Sequence, residues 1–356
     1  MRIARAHLAT MARINVRYDL LPRESEILHL HFWEKAFQLL RERGAIYFVE
    51  EGKNRSCWVM KTGDVSEAAA PSEELEEDEK IIVRSDGTVT YVGKDIAYQL
   101  WKFGLLGLDF HYRPFQASNG RTVWVTTIEE YPGVKPPNFG AGRRVYNVID
   151  SRQSYLQNIV FHGLRALGYV EQAKNSIHFS YEMVALSPAC CDELGYELTE
   201  EERKRPYVEV SGRKGLGVKA DDLLDALVAK ALAEVKARHA LSDEQAEGIA
   251  RVISTGALRY FLLRFARNTV IAFDFKEALS FDGETGPYVQ YAVVRANNIC
   301  RKLEGANVKE IISTIDPGKL AEFLSRHDDI WEIIYLAARL PEVVRQVVHS
   351  LELSQL

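Results

Sequence analysis

Over Glu26–Arg43 (EILHLHFWEKAFQLLRER), Ile27, Leu30, Phe37 and Leu40 recur near one face at helical spacing, and Gly44 ends the run. The spacing predicts a helix there. Ile46–Val49 and Cys57–Met60, parted by the turn-forming EEGKN, read as two short strands. Ile81–Arg84 begins as a strand, Ser85-Asp86-Gly87 turns the chain, and Thr90–Phe103 (TYVGKDIAYQLWKF) continues as a helix. Val123–Ile128 and Val145–Ile149 read as strands, and Tyr155–Leu167 as a helix stopped by Gly168. Strands alternating with helices predict an α/β layer with a largely parallel sheet. After Asp221 the pattern changes: Asp222–His239 is a long amphipathic helix, Ser242 with Gln245 forms a capping box for the next, and nearly everything to Leu356 reads helical.

Composition narrows the class. The chain has 356 residues, 47% of them hydrophobic and 27% charged, which excludes disorder as the main state and predicts about two to three domains at ~150 residues each. Its basic, broken N-terminus is not a secretory signal, and no apolar run approaches the ~18 residues of a membrane span. Cys57, Cys190, Cys191 and Cys300 lack any zinc-ligand spacing, so free thiols in a reducing cytoplasm are expected. The net charge of −5 excludes a uniformly basic nucleic-acid coat but not a local basic face. The acidic run Pro71–Lys80 (PSEELEEDEK) reads as a solvated loop.

Three segments carry candidate chemistry. In Val208–Asp225 (VEVSGRKGLGVKADDLLD), glycines at 212, 215 and 217 surround Arg213 and Lys214 ahead of a helix. Such a loop can bring cations onto a triphosphate, although the spacing is not that of a P-loop and a surface turn has the same composition. Tyr91 and Asp95 stand four apart and share a helix face, a socket for an amine or guanidinium or simply a solvated first turn. Asp150, Ser151, Arg152 and Gln153 follow a predicted strand, where ligands bind in open α/β sheets and where ordinary strand-to-helix loops also lie.

Taken in order, TYVGKDIAYQLWKF, YNVIDSRQ, HFSYEMV (178–184), SGRKGLGVKADDLLD, GALRYFLL (256–263), FDFKEALS (273–280) and PYVQYAVVRANNI (287–299) resemble arginyl-tRNA synthetase, a class I aminoacyl-tRNA synthetase, from about Tyr18 onward. The resemblance implies an α/β fold, a partial Rossmann-like nucleotide-binding domain followed by an all-α helical bundle. It implies that Tyr91, Asp95 and Gln153 hold the substrate arginine, with Asp95 pairing the cationic side chain. His178 and the Met183-Val184 backbone would line the adenine site. Ser211, Gly212, Arg213, Lys214 and Gly215 would form the mobile KMSKS-type loop, Arg213 and Lys214 favouring departure of pyrophosphate. Arg259, Arg264 and Arg267 would contact tRNA phosphates.

The family's HIGH motif has no counterpart: His29-Leu30-His31 lies within a predicted helix and His162-Gly163 comes too late in the order. Leu186–Val210 resembles an insertion relative to compact members. The expected division is 1–225, a partial catalytic domain; 226–285, a tRNA stem-contact region; and 286–356, a truncated anticodon-binding domain. The implied function is ligation of arginine to tRNA(Arg) through arginyl-adenylate, with ATP as substrate, Mg²⁺ carried by its phosphates, no protein metal site and a cytoplasmic location. As an isolated chain it is expected to activate arginine poorly. The rival readings are a non-catalytic tRNA- or partner-binding relic, and one half of a split enzyme completed by a separate N-terminal half.

Overall fold

Residues 2–62, 79–118, 121–209, 218–303, 310 and 313–356 are described in a computed structural model. They form two units of tertiary contact, Arg17–Tyr181 and the combination of Met1–Val16 with Glu182–Leu356. Ser211–Gly215 and most of the acidic run lie outside the described residues.

The chain opens with helix α1 (Arg2–Arg13), which belongs to the second unit. The first unit then runs β1 (Leu20–Leu21), α2 (Glu24–His29), α3 (Phe32–Glu42), β2 (Tyr47–Phe48), β3 (Trp58–Lys61), β4 (Glu79–Val83), α4 (Tyr91–Lys102), β5 (His111–Ser118), β6 (Arg121–Thr127), β7 (Val145–Asp150), α5 (Ser154–Ala166), α6 (Val170–Lys174) and β8 (Ser176–Tyr181). The helix expected over Glu26–Arg43 is broken: Leu28–Leu30 end one helix, and His31 takes a left-handed conformation (φ 61°) that starts α3 in a new direction.

The sheet is also less parallel than the alternating pattern predicted. β7 and β8 are parallel, with Asn147 opposite His178 and Asp150 opposite Tyr181, and β1 runs parallel to β6. β5–β6 and β2–β3–β4 are antiparallel, because these strands follow one another closely in sequence and pair as neighbours. The described strands therefore make small separate sheets. Helices α3, α4 and α5 supply the core, in which Phe32, Leu40, Met60, Ile82, Ile96, Leu100, Ile159 and Leu164 are fully buried. Gly163 lets α5 approach α4, since a Cβ there would stand 3.1 Å from Ile96 Cδ1.

The second unit continues with β9 (Val184–Leu186), α7 (Pro188–Glu193), α8 (Glu200–Arg203), α9 (Ala220–Arg238), α10 (Asp243–Leu263), β10 (Ile271–Phe273), α11 (Phe275–Ala278), α12 (Gly286–Lys302), α13 (Pro317–Leu324) and α14 (Asp328–Ser350). The predicted capping box is present at α10, where Ser242 and Gln245 satisfy each other's backbone N–H. β10 interrupts the stretch that reads helical: it lies parallel to β9 with Ile271 opposite Val184 and Phe273 opposite Leu186. Phe261, Phe273 and Phe275 pack edge to face around it. The segment resembling an insertion folds back through α7 and α8, and Leu186 and Val208 close it with paired backbone hydrogen bonds. Arg13 at the end of α1 forks onto Asp221 and Asp225 in the first turns of α9.

Candidate functional site

Helix α4 starts at Thr90, whose extended backbone follows the β4 turn and whose hydroxyl donates to the carbonyls of Ile81 and Ile82. From that start Tyr91, Asp95, Tyr98 and Lys102 recur along one face. The opposite face, with Val92, Ile96, Ala97 and Leu100, is buried, which fixes the rotation of the helix and presents the polar face.

The face is graded in burial. Tyr91 is 75% exposed, with Lys94 Nζ 5.4 Å from its ring centroid. Asp95 reaches solvent, yet surrounding protein desolvates its carboxyl and pushes it above the usual carboxylate range. Lys102 pulls in the opposite direction, Glu24 adds to the rise and Lys94 opposes it. A carboxylate raised in this way gains stability when a cation arrives beside it. Deeper along the face, burial pushes Tyr98 up to about 12 and Lys102 down to about 8, the latter partly offset by Asp95. Lys102 Nζ lies 4.5 Å from the Tyr98 ring centroid, and Tyr98 stacks on Trp101 at 5.3 Å.

Lys102 leads into a buried amide network that sequence reading missed. Its Nζ donates to Asn147 Oδ1 at 2.9 Å. Asn147 Nδ2 donates to Gln157 Oε1 at 3.0 Å and to Gln99 Oε1 at 3.3 Å, and Gln99 Nε2 donates to Ser176 Oγ at 2.9 Å. Four segments, α4, β7, α5 and the start of β8, are thus joined through side chains that are all buried. The signal available in sequence was a set of amides at positions where helical or strand periodicity calls for apolar residues.

The end of β7 is built by a second device. Asp150 caps the single 3₁₀ turn Ser151–Gln153, accepting from the Arg152 backbone N–H and from its guanidinium at 2.8 and 2.7 Å. Those bonds hold the Asp150 carboxyl down at about 2. Gln153 is exposed at the close of this turn, immediately before α5, which packs against α4. On the neighbouring strand, His178 Nε2 donates to the Ile149 carbonyl at 2.9 Å, which fixes the orientation of the ring.

Tyr91, Asp95, Gln153 and His178 therefore all belong to the Arg17–Tyr181 unit. Met183 and Val184 belong to the other: the Ile271 N–H donates to the Met183 carbonyl at 3.1 Å, and Val184 opens β9. Ser211, Gly212, Arg213, Lys214 and Gly215 are outside the described residues. The arginines expected to meet phosphates are engaged within the chain. Arg259 donates to the Ile14 carbonyl, Arg264 to Glu277 and the Glu284 carbonyl, and Arg267 to Glu352. A groove of about 1230 Å³ lies elsewhere, among Val235, Leu241, Ile249, Val252, Phe281 and Val293, and contains none of the predicted site residues.

No family model matches the chain. Individual proteins do. The arginine–tRNA ligase of Thermococcus sibiricus is 33% identical over 350 residues, covering 96% of this chain and 49% of that protein. The arginine–tRNA ligase of Deinococcus radiodurans is 36% identical over 352 residues, covering 97% of this chain and 52% of its own length. The solved arginyl-tRNA synthetase of Thermus thermophilus superimposes with a TM-score of 0.70 at 31% identity, over 99% of this chain and 54% of that one. The chain spans about half the length of the curated relatives it matches.

Proposed function

We propose that this chain, which belongs to the arginine–tRNA ligase family and spans about half the length of its matched members, carries the arginine-binding part of such a ligase. The reaction joins arginine to ATP as arginyl-adenylate with loss of pyrophosphate, then passes the arginyl group to the terminal ribose of tRNA(Arg). The observation that carries this reading is the α4 face, where the Asp95 carboxyl is raised by desolvation and flanked by tyrosines. An arginine side chain seated there adds a direct counter-charge to the more distant Lys102 and Lys94, and its planar guanidinium suits a carboxylate bidentately. The Tyr91 hydroxyl and the Gln153 amide complete the pocket in this reading.

His178 and the Met183-Val184 backbone are assigned to adenine, and Ser211, Gly212 and Gly215 to the loop that carries Arg213 and Lys214 to the phosphates. Cations at that position stabilise the charge that develops on the departing pyrophosphate. Mg²⁺ enters with ATP, bound chiefly by phosphate oxygens and water.

Calorimetric titration of the chain with arginine and with citrulline, its neutral isostere, tests the pocket. Arginine is expected to bind at least tenfold tighter, and Asp95→Asn to erase that difference. Equal affinity of the unmodified chain for both would refute the assignment of Asp95.

One observation favours completion of the ligase by a separate polypeptide half. Among the described residues β7 pairs only with β8, and Tyr146 and Val148 on its face opposite Asn147 are 43% and 62% exposed. Added polypeptide that covers this face should slow amide exchange over 145–150; unchanged exchange on mixing would count against it.

A further inference from the structure

The loop between α10 and β10 holds a contact that the reading above does not use. Arg267 Nε donates to Glu352 Oε1 at 3.1 Å, and a terminal guanidinium nitrogen lies 3.0 Å from the same oxygen. The Arg267 backbone N–H points at the other carboxylate oxygen at 3.4 Å. Both side chains are largely enclosed, 22% and 26% exposed, so the pair is better shielded than most surface pairs.

Each partner is set in place by backbone. On the Glu352 side, α14 ends at Leu351 in a left-handed conformation (φ 60°), with its N–H still donating to the Val347 carbonyl. That is an uncommon conformation for a branched residue, and it turns the chain so that Glu352 leaves the helix axis. Val347, one turn earlier, is the buried residue of α14, so the helix is seated at this end. On the Arg267 side, the carbonyl accepts from the Glu182 N–H at 2.9 Å. Four residues on, the Ile271 N–H donates to the Met183 carbonyl, and β10 then pairs with β9 from Val184.

Arg267 thus uses its side chain and N–H toward the end of α14 and its carbonyl toward the residue that precedes Met183. We propose that Arg267 is the positioning residue for the Glu182–Val184 backbone, and that Glu352 holds it in that role. The consequence for nucleotide rests on the reading of Met183-Val184 as the adenine-lining segment: the seating of α14 and the shape of the adenine site then share one residue.

Amide hydrogen exchange by mass spectrometry on the whole chain tests this, comparing the unmodified protein with Glu352→Gln and Arg267→Lys. Glu352→Gln keeps the size of the side chain and removes its charge, Arg267→Lys keeps the charge and removes the planar fork, and circular dichroism confirms that each is folded. Positioning predicts about tenfold faster exchange over 182–186 in each variant. A tether that served α14 alone would speed exchange at 346–352 and leave 182–186 unchanged, which would overturn the proposal. ATP affinity measured on the same samples is expected to fall about fivefold in each variant. An unmodified chain that binds no ATP refutes the adenine reading, while the exchange result still decides the positioning role.

Discussion

Lys102 provides a sharp test of the electrostatics described above. Its ammonium is buried on the α4 face, and that burial depresses its pKa from 10.5 to about 8. The unfolded chain therefore holds this proton more tightly than the folded one, so the charged lysine destabilises the fold fully below pH 8. The penalty is relieved as pH rises from 8 toward 10.5. At ~1.4 kcal/mol per pK unit, the shift makes the fold gain roughly 2–3 kcal/mol between pH 7 and pH 10 from this residue. Lys102→Met keeps the apolar stem and removes the titration. It also leaves Asn147 Oδ1 without its Lys102 donor, so absolute stability is not the readout; the pH slope is.

Urea unfolding at half-unit steps of pH, followed by tryptophan fluorescence, reports on the right unit, since Trp33, Trp58, Trp101 and Trp124 lie within Arg17–Tyr181 and only Trp331 lies outside. Other groups act in the opposite sense at the alkaline end. Burial pushes Cys190 and Tyr47 up to about 12, so they ionise first in the unfolded chain and lower stability as pH rises. Subtracting the Lys102→Met curve from the unmodified one removes those contributions. Parallel curves, with no difference in slope between pH 7 and pH 10, would refute the reasoning.

Two further outcomes are expected. In Gly286→Ala the new Cβ would meet backbone, 2.7 Å from the Gly256 carbonyl oxygen and 2.8 Å from Ala257 Cα, so α12 must move from α10 at a cost of about 1–3 kcal/mol, read as a lower thermal midpoint. Gly256→Ala meets only the movable end of Gln290 and should be milder; the reverse order would contradict the packing. Among the cysteines, Cys300 is exposed whereas Cys57, Cys190 and Cys191 are buried, and burial raises the thiols of the adjacent pair. Ellman's reagent should therefore titrate one thiol promptly in the native chain and all four in denaturant.

What could be read from sequence was local. The start of α10 was legible because Ser242 and Gln245 reach each other within one turn. The α4 face was legible because Tyr91 and Asp95 need only helical spacing to share it. What escaped depended on distant chain. β10 is three residues of IAF whose strand character comes from pairing with β9, more than eighty residues earlier, so nothing near Ile271 announces it. Gln99, Asn147 and Gln157 lie apart in sequence, and only their mutual contact shows them to be a buried network. The break in the first predicted helix came from the backbone at His31, where apolar spacing continues across a left-handed residue.

The placement of α1 bears on how the molecule is made. Its last residue, Arg13, finds its partner Asp221 across 208 residues of chain, and the whole Arg17–Tyr181 unit is strung between them. As a ribosome makes this polypeptide in the N-to-C direction, the intervening unit has been synthesised in full before the first turn of α9 exists. Helix α1 must therefore wait, with its cations and apolar side chains unmatched, while a complete neighbour folds behind it. Its docking is a late step of synthesis, although it is made before every element it docks beside.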